Sequence, residues 1–474
     1  MEDRMQITMS PYYGTPDFSA VKARAERTQI DPVSVADLLR NAFVYPPHSI
    51  YRDIKVVTFG FDPEDDMERN PRFHFKFRNA GEKPEKPHLD RNWVQAYHRM
   101  LCDAVTNACH GMHAPWQLQS GGKDSTSLAI ALADARPDTT CITYCGGQEE
   151  DEADSAAQVA RTLGLRHAVL TCDPGRAYDR YLHAVPRMPL LTADFALLSY
   201  FDLAAQIAGD GGDGMIDGLG PDTYFGTPVS RQQRWLARLS RRQRLPQGVT
   251  ELPFVERSFP LCYLAATLQM EPIERTFPGS RFNDAEVDAL FGMPIAAQSR
   301  ARLQLFRDEI GSATSDWEWR DMSTSIAGSA GAFAKGMLAA AAQGLRAAYP
   351  YCDHDLREWV HHDVPRQLKV DPATHTNKVL MRRHIATRFQ TLPYVRNKGS
   401  FRFDVRGLAR ARFDQVYAHA ESAVDVLPGA LRWLEANRGR LDNKYHASRF
   451  YLLAVVLPWL ARRQHAIEPQ TAAA

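Results

Sequence analysis

The chain has 474 residues, of which 44% are hydrophobic and 24% charged, an ordinary balance for a globular protein with a large core. The 57 Lys and Arg residues nearly match the 56 Asp and Glu residues, so the charge gives no reason to expect nucleic acid or a membrane as a partner. The amino terminus lacks the apolar run of a signal peptide. The longest apolar run, residues 450–461, is too short to span a bilayer and contains Pro458. We therefore expect a cytoplasmic protein in which residues 450–461 form a buried helix.

Residues 1–95 predict a short appendage and not a full domain, because proline-containing turns at 46–47 and 81–87 interrupt them. Residues 55–61 and 73–77 have the composition of short strands. The second of these alternates apolar and polar side chains, as a half-buried strand does.

From residue 96 onward, strand and helix patterns alternate. Strands are predicted at 115–119, 139–144, 167–171 and 214–217, and helices at 125–135, 151–165 and 196–208. This alternation is typical of an α/β fold with a doubly wound parallel sheet. Beyond residue 225 the pattern is mostly helical. We expect one domain over residues 96–465, followed by a frayed tail at 466–474.

Residues 120–125 carry the strongest chemical signal. They read Ser-Gly-Gly-Lys-Asp-Ser and lie between a predicted strand and a predicted helix. Two glycines let the backbone approach a phosphate group, and the N–H groups of the turn and of the following helix form an anion site. Asp124 cannot bind phosphate directly, but its carboxylate can hold a magnesium ion that does.

These residues resemble the Ser-Gly-Gly-x-Asp-Ser fingerprint of the PP-loop ATP pyrophosphatases, which cleave ATP between its α and β phosphates. Residues 217–226 resemble the Gly-Glu-Gly-x-Asp-Glu-x-Phe-Gly-Gly segment of asparagine synthetases, with Asp222 on the second magnesium-binding aspartate of that family. Weaker matches follow in family order at residues 344–353, 377–382, 392–393 and 396–401. The last of these matches places Lys398 on the family's late lysine.

The resemblance covers roughly residues 95 to 465, and it is to the synthetase domain of asparagine synthetase and β-lactam synthetase. It implies ATP and Mg²⁺ as cofactors, with magnesium on Asp124 and Asp222. It implies that Lys398 lies over the phosphates and acts in catalysis with the two aspartates. The residues implied to bind the nucleotide are Leu118, Ser120, Gly121, Gly122, Asp124, Ser125 and Gly218.

Three departures from the family are informative. Residue 2 is Glu2, where asparagine synthetases have a catalytic Cys. Residues 1–95 are too few for a glutaminase domain, and the resemblance implies that they are a remnant of one. Leu219 stands where those enzymes have Glu and the β-lactam-forming enzymes have Tyr, and leucine cannot transfer a proton. Arg346 and Ala348 replace the Glu and Arg of a later motif, which makes free aspartate a doubtful substrate.

Our main hypothesis is therefore an ATP-dependent ligase that adenylylates a small-molecule or peptide carboxylate and passes the acyl group to ammonia or an amine. A separate glutaminase could supply the ammonia, and a homodimer is one option for assembly. Two alternatives stay open. A PP-loop enzyme that modifies tRNA would be expected to carry paired catalytic cysteines, which the sequence lacks. A non-catalytic homologue acting as a partner subunit is suggested by Leu219.

Overall fold

The computed structural model describes residues 5–14, 16–26, 28–75, 92–146, 152–225, 245–246, 248–249, 252–277, 281–313, 316–371, 373–374, 376–391 and 403–471. Lys398 and the motif at residues 396–401 therefore lie outside the described residues, as does the end of the motif at 217–226.

The described residues form two parallel sheets. Their strands are β1 (Met5–Thr8), β2 (Ile54–Val57), β3 (Pro115–Leu118), β4 (Thr140–Cys145), β5 (Arg166–Thr171), β6 (Gly214–Ile216) and β7 (Arg346–Ala348). The first two pair with each other. The other five form one sheet in the order β5-β4-β3-β6-β7, in which every neighbouring pair is parallel.

Helices surround the larger sheet and make up most of the chain after residue 225. They are α1 (Phe18–Ala25), α2 (Pro32–Asn41), α3 (Trp93–Ala108), α4 (Lys123–Ala135), α5 (Glu152–Leu163), α6 (Pro174–Ala184), α7 (Leu197–Gly209), α8 (Asp222–Phe225), α9 (Pro253–Glu256), α10 (Phe259–Gln269), α11 (Asp284–Phe291), α12 (Ala296–Arg302), α13 (Gln304–Gly311), α14 (Asp316–Ala327), α15 (Phe333–Ala342), α16 (His354–His362), α17 (Arg366–Lys369), α18 (Val379–Ala386), α19 (Val405–Ser422), α20 (Ala430–Asn437) and α21 (Lys444–Thr471). Short 3-10 turns occupy Val185–Arg187, Ile273–Thr276, Pro350–Cys352 and Arg438–Arg440, and a π-helical turn occupies Gly328–Ala332.

The predicted fold class is confirmed. Strands and helices alternate from β3 to β6, because parallel neighbours need a crossover connection that a helix supplies. β3 and β6 lie inside the sheet and are almost entirely buried, whereas β5 lies at an edge and exposes part of its length. The last helix runs to Thr471 and so enters the range that the sequence assigned to a tail.

Residues 5–75 share a hydrophobic core with the carboxyl-terminal helices. Tyr51 and Trp459, for example, are both buried in that cluster, with ring centroids 5.8 Å apart. A buried ion pair adds to this attachment: Arg40 on α2 lies 2.9 Å from the carboxylate of Glu274, and neither side chain is more than 1% exposed. The boundary near residue 95 stays a prediction.

The strand predicted at 73–77 is wrong over residues 73–75, which the structure describes without regular structure. The ring of Phe73 packs against the rings of Phe61 and Phe306, with centroids 5.5 and 4.9 Å away. The His74 amide donates to the Gly60 carbonyl instead of to a strand partner. Aromatic packing therefore holds this segment in place. The alternation of apolar and polar residues here arises from packed aromatic rings and not from a β-strand.

The run 450–461 forms a buried stretch of α21, as predicted. Pro458 has no N–H, so the carbonyl of Ala454 one turn earlier loses its usual helical donor. The Tyr178 hydroxyl on α6 donates to that carbonyl at 3.1 Å. Among the described residues, no helix has both the length and the apolar character needed to cross a bilayer.

Candidate functional site

The loop that joins β3 to α4 is held by its own serines. The hydroxyl groups of Ser120 and Ser125 lie 3.0 Å apart, and the Gly122 amide donates to the Ser120 hydroxyl at 3.3 Å. Gly122 is the N-cap residue of α4 and supplies no side-chain cap. The first N–H groups of α4 therefore have no partner within the helix, which is the arrangement that binds anions. Leu118 ends β3 and is half-buried beneath this loop.

A second loop follows β6 and touches the first. A Cβ added to Gly218 would lie 3.5 Å from the Ser125 amide nitrogen, so the two loops are in backbone contact. Gly220 has a φ of 122°, a backbone conformation that residues other than glycine rarely adopt. This turn leads to Asp222, the first residue of α8.

The two loops meet where the sheet changes direction. The chain passes outward from β3 to β4 and β5, and then returns to place β6 on the other side of β3. Parallel α/β sheets bind ligands at the carboxyl ends of the strands at such a switch point. Asp124 follows β3 and Asp222 follows β6, so the fold brings both predicted carboxylates to this crevice.

Lys378, for which the sequence predicted no role, lies between the two carboxylates. Its Nζ is 2.8 and 2.9 Å from the two carboxylate oxygens of Asp124 and 2.7 Å from Oδ1 of Asp222. The Lys378 side chain is 1% exposed, against 29% for Asp124 and 65% for Asp222. Burial by itself would lower the pKa of Lys378, but the two carboxylates outweigh it and raise that pKa above its ordinary value.

The backbone at Lys378 is unusual and firmly held. Its φ of 54° and ψ of 44° are left-handed, which is uncommon outside glycine. The preceding residue, Asn377, forms a bridge with Val370, and its carbonyl accepts from the Arg382 guanidinium at 2.9 Å. These contacts fix the point from which the lysine side chain extends into the crevice.

Helix α18, which begins directly after Lys378, is tied to α4. The His384 ring on α18 lies 2.9 Å from the Ser127 hydroxyl on α4 and 2.9 Å from the His98 ring on α3. Burial lowers the pKa of His384 to about 3, so this histidine is neutral near pH 7. The element that carries Asp124 and the element that carries Lys378 are therefore joined by a neutral, buried hydrogen bond.

The donor set suits a hard divalent cation. Asp124 and Asp222 both face one cationic group, so their oxygens point toward a common position. Mg²⁺ prefers oxygen ligands and is commonly held by one or two carboxylates, with phosphate and water completing the shell. Among the residues described, no three His, Cys, Asp or Glu side chains are grouped as an all-protein metal site requires. The two aspartates thus fit a magnesium that arrives with a polyphosphate.

On the far side of the second loop, Leu219 packs against the hydrophobic core and presents no ionisable group. Its amide donates to Asp217 at 3.2 Å, and Asp217 accepts a second hydrogen bond from the buried Tyr200 hydroxyl at 2.6 Å. Arg346 turns away from the crevice and donates to the His110 carbonyl at 3.0 Å. Residue 219 is therefore an apolar leucine where the related synthetases carry Glu or Tyr. Residue 346 is an arginine outside the crevice where they carry Glu.

A family model described as asparagine synthase matches residues 98–439, which is more than half of the chain. One similar solved structure is NMN synthetase from Francisella tularensis, at 12% identity and a TM-score of 0.24, covering 49% of this chain and 92% of that one. That score is too low to add to the family match, and no curated protein matches the chain. The match supports an ATP-using ligase of the PP-loop type. The chain belongs to the asparagine synthase family.

Proposed function

We propose that this protein is an ATP-dependent, AMP-forming carbon–nitrogen ligase that makes an amide or a lactam. A substrate carboxylate oxygen attacks the α phosphorus of ATP, and the bond to the β phosphate breaks to release pyrophosphate. The nitrogen of ammonia or an amine then attacks the acyl carbon, loses a proton, and displaces AMP. One observation carries the proposal: a buried lysine and two carboxylates converge beside an anion-binding loop at the switch point of the sheet.

The residues of the crevice have separate roles in this proposal. The loop at 120–125 binds the phosphates through its N–H groups, with Gly218 keeping the neighbouring backbone close. Asp124 and Asp222 would hold Mg²⁺, which neutralises phosphate charge when it is bound. Lys378 supplies a second positive charge from inside the protein. These residues position and stabilise charge and form no covalent bond to the substrate.

The residues at positions 219 and 346 favour a specialised biosynthetic role over the synthesis of free asparagine. Leu219 offers no proton acceptor, and the Arg346 guanidinium is engaged by the His110 carbonyl outside the crevice. The acyl acceptor in this proposal is ammonia, either free or from a separate glutaminase, or an amine on a substrate. Amidation of a natural-product acid and closure of a lactam both fit this chemistry.

The test is ATP–pyrophosphate exchange by the purified chain with Mg²⁺ and a panel of carboxylic acids that includes aspartate. We expect exchange that depends on one class of acid. Asp124→Asn should reduce it by at least about 10²-fold, because a neutral amide stabilises the metal and phosphate charge poorly. The matched control is Asp134→Asn, at the far end of the same helix, where the carboxylate pairs with Arg388.

The outcomes separate the hypotheses. Full exchange in Asp124→Asn would remove this aspartate from the site. ATP binding with no exchange for any acid would favour a non-catalytic partner subunit, and activity that requires added tRNA would favour a tRNA-modifying enzyme.

Lys398 remains a prediction of the family resemblance. We expect Lys398→Ala to slow turnover more than it weakens ATP binding, because a lysine over the departing pyrophosphate acts mainly in the transition state. Steady-state kinetics and a separate measurement of ATP affinity would check this. Unchanged turnover would exclude Lys398 from the site.

A further inference from the structure

The crevice contains a cation that belongs to the protein itself. The Lys378 ammonium contacts both oxygens of Asp124 and one oxygen of Asp222, all within 2.9 Å. These carboxylates are the pair proposed to hold magnesium, so the ammonium and a metal ion would compete for the same oxygens.

We propose that Lys378 is a built-in cation that fills the metal position in the absence of nucleotide, so that a divalent ion is bound tightly only together with a polyphosphate. This inference rests on the proposed function, because it takes Asp124 and Asp222 as the metal ligands.

The geometry supports displacement of the side chain without movement of the backbone. Lys378 extends from a held, left-handed residue, but its four-carbon stem is flexible and its ammonium is a compact charge. Asp222 is 65% exposed, so the crevice is open on that side to an entering polyphosphate. A phosphate oxygen can replace the carboxylates as the partner of the ammonium, and the carboxylates can then bind the metal.

Charge explains why the crevice would exclude a divalent ion when no polyphosphate is bound. Two carboxylates beside one ammonium leave a net charge of about one negative unit, and a second cation, Lys123, is close enough to interact electrostatically with both carboxylates and with Lys378. Metal affinity rises with the number of uncompensated carboxylate charges at a site. Removal of the Lys378 charge should therefore create a metal site in the nucleotide-free protein.

The experiment measures Mn²⁺ binding to the full chain without nucleotide, by the electron paramagnetic resonance signal of free Mn²⁺. We expect Lys378→Met to bind one Mn²⁺ at least about tenfold more tightly than the wild type. Lys378→Arg keeps the positive charge and should remain like the wild type. The matched control is Lys335→Met, which removes another buried ammonium, 3.3 Å from Asp194 and outside the crevice.

A second variant and a second readout cover a loss of folding in Lys378→Met. Lys378→Gln removes the charge and retains a polar side chain with a hydrogen-bond donor, and Mn²⁺ should raise its thermal unfolding temperature but not that of the wild type. The inference is overturned if the wild type binds Mn²⁺ as tightly as the variants, or if the folded Met and Gln variants gain no affinity.

Addition of α,β-methylene ATP, whose α–β linkage resists cleavage, separates this inference from the proposed function. We expect the analogue to tighten Mn²⁺ binding by the wild type. If the wild type binds neither the analogue nor Mn²⁺, the proposed function fails. If the analogue binds and Lys378→Met still gains no Mn²⁺ site, only the inference on Lys378 fails.

Discussion

The second loop allows a sharp test, because its two glycines serve different purposes. Gly220 has a φ of 122°, and a Cβ there would lie 3.0 Å from Sγ of Cys352 and 3.2 Å from Cβ of Tyr351. Gly218 has no left-handed backbone, and its added Cβ would make only ordinary contacts, at 3.5 Å or more, with Asp124 and Ser125. The backbone at Gly220 thus favours glycine, whereas nothing in the fold requires glycine at Gly218, where we propose that a bound phosphate approaches the loop.

We expect Gly220→Ala to lower the free energy of unfolding by about 2 kcal/mol, since a non-glycine residue held in such a conformation costs about 1–3 kcal/mol. The close contacts with buried Tyr351 and Cys352 add to that cost. Gly218→Ala should change the unfolding free energy by less than about 0.5 kcal/mol. Its methyl group would instead lie over the Ser125 amide and weaken ATP binding by about tenfold, the loss of roughly one charge-assisted hydrogen bond.

Urea unfolding and calorimetric titration of ATP would measure the two effects on each variant. The two variants should differ in the property that they lose. Gly220→Ala should lose stability, and Gly218→Ala should lose affinity for the nucleotide. Equal stability losses would refute the conformational argument for Gly220. Normal ATP affinity in a folded Gly218→Ala variant would mean that the phosphates do not approach the Ser125 amide.

Two further predictions concern buried polar contacts. Tyr178→Phe should lower the free energy of unfolding by about 1–3 kcal/mol, because it leaves the Ala454 carbonyl unpaired, and adding Pro458→Ala should restore part of this by supplying an N–H. No recovery in the double variant would contradict the role of Tyr178. The folded-state pKa of His384 is about 3, below the ordinary value of 6.5, so the unfolded chain binds more protons between these values and stability falls as pH falls through that window. His384→Gln should make the unfolding free energy depend less steeply on pH between 4 and 6, by up to about 1.4 kcal/mol per pH unit. An unchanged slope would show that His384 is not buried in its neutral form.

Four of the five strands of the larger sheet and both loops could be predicted because their signals are local, whereas β7 lies in a stretch for which the sequence predicted helix. Each buried strand is a short, mainly apolar run, and each loop carries glycines and a carboxylate that comes a few residues after the end of the strand. The aromatic residues at 73–75 gave a false strand signal, because the same alternation arises when rings such as Phe73 pack into a cluster formed with the distant Phe306. That cluster depends on tertiary contacts that no local pattern contains.

Lys378 could not be singled out for the same physical reason. Helix α18 begins without a side-chain cap, and the left-handed backbone at Lys378 has no glycine to mark it. Nothing near residue 378 in the sequence therefore distinguishes this lysine from a solvated one. The family resemblance includes residues 377–382, but the catalytic lysine that it implies is Lys398.

The position of Lys378 follows from topology and not from its own segment. β3 and β6 are neighbours in the sheet although almost a hundred residues separate them in the chain, so the residues after them share one crevice. α18 then packs on α4, the helix that begins the first loop, and the contact between His384 and Ser127 aligns the two. A buried ammonium at the start of α18 therefore faces the carboxylates of both loops, and its charge becomes part of any step that brings a polyphosphate or a metal into the crevice. A substitution that loosens α18 from α4 should accordingly disturb the lysine and the aspartates together.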